Sequence, residues 1–319
     1  MSDLPSYTHT PDNDSTLESP GHAYDNSDSS ATLPAGSLTL VATPIGNLGD
    51  MSVRAIETLK AADVILCEDT RVTAKLLKAY NVSTPTQILH DHNEEDRIPG
   101  LLSRLASGAR MALVSDAGTP LVSDPGFRLV RAALAQKMNV GALPGANAAT
   151  LALTLSGLPP HPYLFSGFAA PRSSARRTQF GVLRAAEQAG LSATLIWYEA
   201  PHRLLDMIED LIVVFGSERQ GAVARELTKR FEEIRRGTLR ELQEHFLQTA
   251  PRGEITILVG PADEAENSGE ADLDARLRKA LQSHSVKDAA TLVAGAVNLP
   301  RRVVYARALE IGSEGPERD

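Results

Sequence analysis

Several short segments of this chain combine residue types that ordinary loops rarely need together. The densest runs Ser115-Asp116-Ala117-Gly118-Thr119-Pro120-Leu121-Val122-Ser123-Asp124-Pro125-Gly126. Its two Asp-containing turns offer free backbone amides to a polar ligand and carboxylates to an amine or a ribose hydroxyl. Glu68-Asp69-Thr70-Arg71 sets two carboxylates beside a guanidinium, a group that can position a hydroxyl or take its proton. The same residues also serve as a helix start capped by Asp69 or Thr70. In His90-Asp91-His92-Asn93-Glu94 the two imidazoles share a face if the chain is extended. No further His or Cys cluster completes a ligand set, so no metal is expected. Asp91 and His92 remain hydrogen-bonding candidates, with Asn93 as a helix cap. Thr43 to Asp50 is rich in turn formers but lacks the G-x-G-x-x-G spacing of a dinucleotide loop. Leu143-Pro144-Gly145-Ala146-Asn147, Tyr198-Glu199-Ala200-Pro201-His202-Arg203 and Arg225-Glu226-Leu227-Thr228-Lys229 complete the set.

All of these segments follow short apolar runs, as the ligand loops of a doubly wound sheet do. Strands are predicted at Leu38 to Ala42, Val64 to Cys67, Gln87 to His90, Met111 to Val114 and Val140 to Leu143. Helices are predicted at Ser52 to Ala62, Val72 to Tyr80, Glu94 to Ser107, Gly126 to Lys137 and Ala146 to Ser156. Strands alternating with helices imply crossover units and a mostly parallel sheet. After Gly157-Leu158-Pro159-Pro160 the pattern changes. Five strands (Tyr163 to Phe168, Thr194 to Tyr198, Ala222 to Glu226, Phe231 to Arg236, Ile255 to Val259) are separated by two or three helices, with a hairpin turning at Thr228 and Lys229. We therefore expect two α/β subdomains, 38–157 and 158–261, with a ligand cleft between them. Cys67 and Trp197 read as core residues.

The 319 residues carry 32 basic and 40 acidic side chains, a net charge of −8, which taken whole argues against a nucleic-acid partner. The charge is unevenly placed. Residues 1–37 hold six acidic and no basic residue, and so do residues 262–274. The first is expected to be a disordered tail and the second a linker; without them the remainder sums to +4. The tail is acidic, whereas signal and transit peptides are basic. No apolar run reaches the length of a membrane span. A single cysteine excludes a disulfide framework, and a cytoplasmic protein without membrane contact is expected. Residues 275–312 carry seven basic against two acidic residues. Two short apolar helices broken at Asn298-Leu299-Pro300, the second opening with Arg301 and Arg302, resemble a helix-turn-helix, although a docking or dimerisation module has the same pattern. Residues 313–319 form a last tail.

Taken together, Val41 to Leu48, Glu68 to Arg71, His90 to Glu94, Ser115 to Gly126, Tyr198 to Arg203, Arg225 to Lys229 and Arg252-Gly253-Glu254 resemble, in order and spacing, the ribosomal RNA small-subunit methyltransferase I family of the tetrapyrrole-methylase superfamily. The C-terminal module is similar too. The resemblance implies two subdomains of the tetrapyrrole-methylase type plus a small helical module. It also implies S-adenosylmethionine as methyl donor, the ribose 2′-hydroxyl of a decoding-centre cytidine in 16S rRNA, within the 30S subunit, as acceptor, and a homodimer. Donor contacts are implied at Pro44, Asp116, Gly118, Thr119, Ser123, Asp124, Pro144, Gly145, Tyr198 and Thr256. The family commonly carries Pro and Ser or Cys where this chain has Ala146 and Asn147, so backbone contacts alone are implied there. A ribose hydroxyl is a weak acid and calls for a proton acceptor; the candidates, in order, are Asp69, Glu68, His92 and Glu199. Arg71, Arg203, Arg225, Lys229, Arg301 and Arg302 are candidates for RNA phosphates. Two alternatives remain open on sequence. One is a methyltransferase of the same superfamily acting on a tetrapyrrole-like small molecule, the other a DNA-binding regulator with an α/β sensor.

Overall fold

The computed structural model describes residues 33–262, 270–297 and 301–313. The expected tail up to residue 32, most of the acidic linker, the Asn298-Leu299-Pro300 break and residues 314–319 lie outside them. The first half alternates strictly: β1 (Ser37–Val41), α1 (Val53–Ala61), β2 (Val64–Cys67), α2 (Thr70–Ala79), β3 (Thr86–Ile88), α3 (Glu94–Ala106), β4 (Met111–Val114), α4 (Phe127–Ala135), β5 (Asn139–Leu143) and α5 (Ala148–Ser156). The five strands form one parallel sheet in the order β3-β2-β4-β1-β5. The three central strands are buried throughout, which is why they read as continuous apolar runs. Leu38, Leu40, Leu66, Met111 and Leu113 face a core closed by α3 and α4, while Val41, Ile65, Cys67, Ala112 and Val114 face α1 and α2.

The second half contains β6 (Tyr163–Phe168), α6 (Ser173–Gln188), β7 (Thr194–Glu199), α7 (Leu204–Phe215), β8 (Gln220–Arg225), β9 (Glu233–Thr238), α8 (Leu239–Gln248) and β10 (Ile255–Val259). Its sheet, β6-β7-β10-β8-β9, is mixed: β6 and β7 run parallel and the other pairs antiparallel. The expected β8–β9 hairpin is present, but Phe231 lies in its turn and is exposed.

Three boundaries move. Helix α5 packs across the second sheet, its Ala149, Ala152 and Leu153 joining Ile196, Ala222, Ala224 and Leu258 in one core. A division at Gly157 therefore assigns α5 to the half whose sheet it does not cover. The acidic stretch 262–274 is not linker to its end, because α9 (Glu270–Leu281) begins inside it. With α10 (Val286–Val297) and α11 (Arg301–Ser313), α9 forms a three-helix module around Leu277, Ala289, Ala290, Val293, Val304 and Ala308. At the other end, Leu33 packs on the first core and Ser37 opens β1, so the last residues of the expected tail are folded. Among the described residues no helix is long and apolar enough to cross a membrane.

Candidate functional site

The loops at the carboxyl ends of β1, β4 and β5 are stitched into one edge. Thr43 and Gly118 exchange two backbone hydrogen bonds of 2.8 and 3.0 Å, and Thr43 Oγ1 donates to Ser115 O. Thr119 Oγ1 donates to Ala146 O at 2.9 Å. Within the β4–α4 loop, Leu121 (φ +71°) and Ser123 (φ +69°) are held in the left-handed region between Gly118 and Gly126, which share it. For side-chain-bearing residues that conformation costs free energy and persists only where the surroundings impose it. Gly145 sits against β1: a Cβ there meets Ala42 Cβ at 2.6 Å. Gly145→Val is therefore expected to push the β1 and β5 loops apart at a stability cost of about 1–3 kcal/mol, measured by urea unfolding.

A cavity of about 420 Å3 lies between this edge and the second half. Asp116, Gly118, Thr119, Ser123 and Asp124 line it from one side, and Tyr198, Glu199 and Thr256 from the other. Ile45, Phe168 and Leu227 add an apolar wall, in which the Tyr198 ring packs edge-on against Phe165 and Phe168 at 4.7 and 5.7 Å. These apolar positions were not among the site residues expected from the sequence, although Ile45 and Leu227 lie inside two of the segments singled out there and Phe168 ends a predicted strand. Asn147 also lines the cavity while capping α5 through Thr150 N. Pro44, Pro144 and Gly145, implied as donor contacts by the resemblance, do not line it.

The polar side is crowded with carboxylates. Burial, reinforced by the charges of Glu68 and Asp116, pushes Asp124 up to about 7 against a hydrogen bond from Ser115. Asp116 is raised by burial, with the Asp69 amide, which donates to it at 3.3 Å, pulling the other way and the Asp69 charge adding to the rise. Glu68 is raised by burial and by Asp116 and Asp91. Such a site suits a ligand that brings positive charge. Among the described residues no group of three or more His, Cys, Asp or Glu could hold a metal ion.

Several residues singled out in the sequence are occupied elsewhere. Asp69 caps α2 and grips Arg71 with both carboxylate oxygens, which holds it at about 2 and outside the cavity lining. A group so acidic is a poor proton acceptor. Asp69→Asn is accordingly expected to leave single-turnover methyl transfer, the reaction that the sequence resemblance implies, near the wild-type rate; a large loss would return Asp69 to the chemistry. His92 is exposed, its ring 5.9 Å from that of His90. Glu199 is fully buried: Oε1 accepts from Ala200 N, and Oε2 lies 3.1 Å from Arg203 Nη2 in an ion pair without hydrogen-bond geometry.

Nor do the cations of the body extend freely toward phosphates. Arg203 turns inward to Glu199 and the carbonyls of Ala169 and Ala170. Arg225 pairs with Glu233, and Lys229 bridges Glu226 and Glu254. Those bridges tie the hairpin turn to the segment before β10, and Gly46 of the first half approaches the turn so closely that a Cβ there meets Lys229 Cγ at 2.4 Å. Arg71 is exposed but clamped to Asp69. Only Arg301 and Arg302 of this set are both exposed and, among the described residues, without an ion-pair partner.

Comparison with known proteins agrees with this geometry. Residues 37–243 match the family model described as Tetrapyrrole (Corrin/Porphyrin) Methylases, and residues 267–312 match the RsmI C-terminal HTH domain. A protein of Mesorhizobium japonicum named ribosomal RNA small subunit methyltransferase I is 44% identical over 88% of this chain and 94% of its own. One of the same name from Synechocystis is 42% identical over 88% of this chain and 100% of its own. Among solved structures, the methyltransferase CobJ aligns with a TM-score of 0.54 at 20% identity, over 72% of this chain and 95% of its own. Diphthine synthase aligns with a TM-score of 0.54 at 16% identity, over 70% and 89%. Those two similarities establish the fold. The relatives and both family models establish more: this chain belongs to the ribosomal RNA small subunit methyltransferase I family of the tetrapyrrole methylases.

Proposed function

We propose that this protein methylates the ribose 2′-hydroxyl of a decoding-centre cytidine in 16S rRNA, on the 30S subunit in the cytoplasm, as a homodimer and with S-adenosylmethionine as donor. The carboxylate-rich cavity between the two halves carries the reading, because it matches a donor that bears both a sulfonium and an ammonium. The names of the relatives support ribosomal RNA as acceptor. The folded basic module at the C-terminus favours RNA over a small-molecule acceptor, which has no use for it.

Bound in the cavity, the donor supplies an already activated methyl group. The chain's own work is to orient the donor, align the acceptor and remove a proton. Asp116, Gly118, Thr119, Ser123, Tyr198 and Thr256 are the proposed donor contacts. Among the carboxylates, Asp124 combines exposure to the cavity with a proton affinity near neutrality, and we assign it the acceptor role, with Glu68 beside it. Incubation with labelled donor and three acceptors, 30S subunits from a strain lacking the enzyme, naked 16S rRNA and a tetrapyrrole, tests the reading. Label in the RNA is expected; label only in the tetrapyrrole, or in none, would overturn it.

A further inference from the structure

Lys287 on α10 and Arg301, Arg302 and Tyr305 on α11 surround a hollow of about 350 Å3 on the C-terminal module. The three cations are exposed, and among the described residues none has a carboxylate partner. The neighbouring charges are already engaged. Arg307 holds Asp274 and Glu310 at 2.6 and 2.7 Å, and Asp288 accepts from Ser285 Oγ at 2.7 Å. Three like charges around one hollow repel each other, and the core of the module is built without them. Val304 and Ala289, fully buried beside them, fix α10 and α11 and therefore the shape of the hollow. Tyr305 is 39% exposed.

We infer that this hollow binds one unpaired nucleotide of the RNA substrate, its phosphates held by Lys287, Arg301 and Arg302 and its base stacked on Tyr305. The chemistry favours RNA outside a helix. Guanidinium groups match phosphate bidentately and an ammonium serves as a point charge, whereas an aromatic face can receive a base only where the strand is unstacked. The inference rests on the reading of rRNA as the substrate.

The test uses the full-length protein and a fluorescent single-stranded 16S-derived loop, with binding followed by anisotropy over a range of salt. K287E/R301E/R302E is expected to weaken binding and to flatten the plot of log K against log salt by about 1.4, the share of the two phosphates that flank one nucleotide in a single strand. Tyr305→Ala is expected to weaken binding by about fivefold or more with an unchanged salt slope. R301Q/R302Q, which adds no repulsion, guards against a module that fails to fold, and circular dichroism and donor binding should match wild type. Wild-type affinity and slope in the charge variants would overturn the inference, as would equally tight binding of duplex DNA or of a poly-aspartate that ignores Tyr305→Ala. The two readings separate cleanly. Salt-dependent RNA binding through the hollow without any methyl transfer defeats the proposed activity alone. Methylation of 30S by the triple variant at unchanged KM defeats the hollow alone.

Discussion

Replacement of Asp124 by Asn is expected to lower single-turnover methyl transfer by about 10²- to 10⁴-fold, the usual contribution of a positioned general base, while donor affinity changes far less. The pH dependence is the sharper readout. Wild-type transfer should rise with pH as Asp124 loses its proton near 7 and then level off; Asp124→Asn should lose that limb. The same shift has an opposite consequence for stability. An acid whose folded pKa is raised binds more protons folded than unfolded between its ordinary value of 3.8 and about 7, so its contribution to stability falls as pH rises through that window. Asp124→Asn is therefore expected to melt higher than wild type at neutral pH while being nearly inactive. A variant that melts no higher and keeps the pH limb would remove Asp124 from the role.

The second large effect concerns the ion cluster between α6 and α7. Asp210 on α7 and Arg176 on α6 are only 1% and 2% exposed, and Arg176 Nε donates to Asp210 Oδ2 at 2.7 Å. Arg177 and Ser173 converge on the same carboxylate. Burial pushes Asp210 up, but the hydrogen bonds from Arg177, Ser173 and Arg176 outweigh it and hold the group below its ordinary value. Asp210→Ala leaves Arg176 buried without a counter-charge, which typically costs about 3–5 kcal/mol. In a body of this size each kcal/mol moves the melting temperature by about 2–4 °C. The difference from wild type should shrink only in strong acid, as the pH falls below 3.8 and the native carboxylate is finally protonated. Function is affected too. Arg176 also donates to the carbonyls of Asp206 and Ala170, and Ala170 lies two residues past the cavity-lining Phe168. Donor affinity should therefore drop with stability, whereas Asp124→Asn separates the two.

Much of this architecture is legible in the residues. Apolar runs such as Met111 to Val114 and Val64 to Cys67 delimit the buried parallel strands to the residue. Ser115 to Gly126 identifies itself through its density of Gly, Pro, Ser and Asp, and most of its chemistry does face the cavity. What could not be read was partnership. Asp69, Arg203, Arg225 and Lys229 have the types expected of a site, but each is satisfied by a neighbour that a sequence pattern does not reveal. Helix α5 was misplaced because its apolar faces suit either sheet; only packing selects the second. Asp124 was read only as a donor contact, because its raised proton affinity arises from burial, reinforced by Glu68 on the β2–α2 loop and Asp116 on its own loop, which a sequence pattern does not reveal. The net charge misled for a different reason: two acidic stretches masked the basic character of the C-terminal module.

The most direct test of the central claim is the chemical position of the transferred methyl. After a single turnover on 30S subunits lacking the modification, the rRNA is digested to nucleosides and the label located by mass spectrometry. The label is expected in one 2′-O-methylcytidine per subunit, with none after Asp124→Asn on the same time scale. Label on a base, or on the ribose of a different nucleoside, would contradict it.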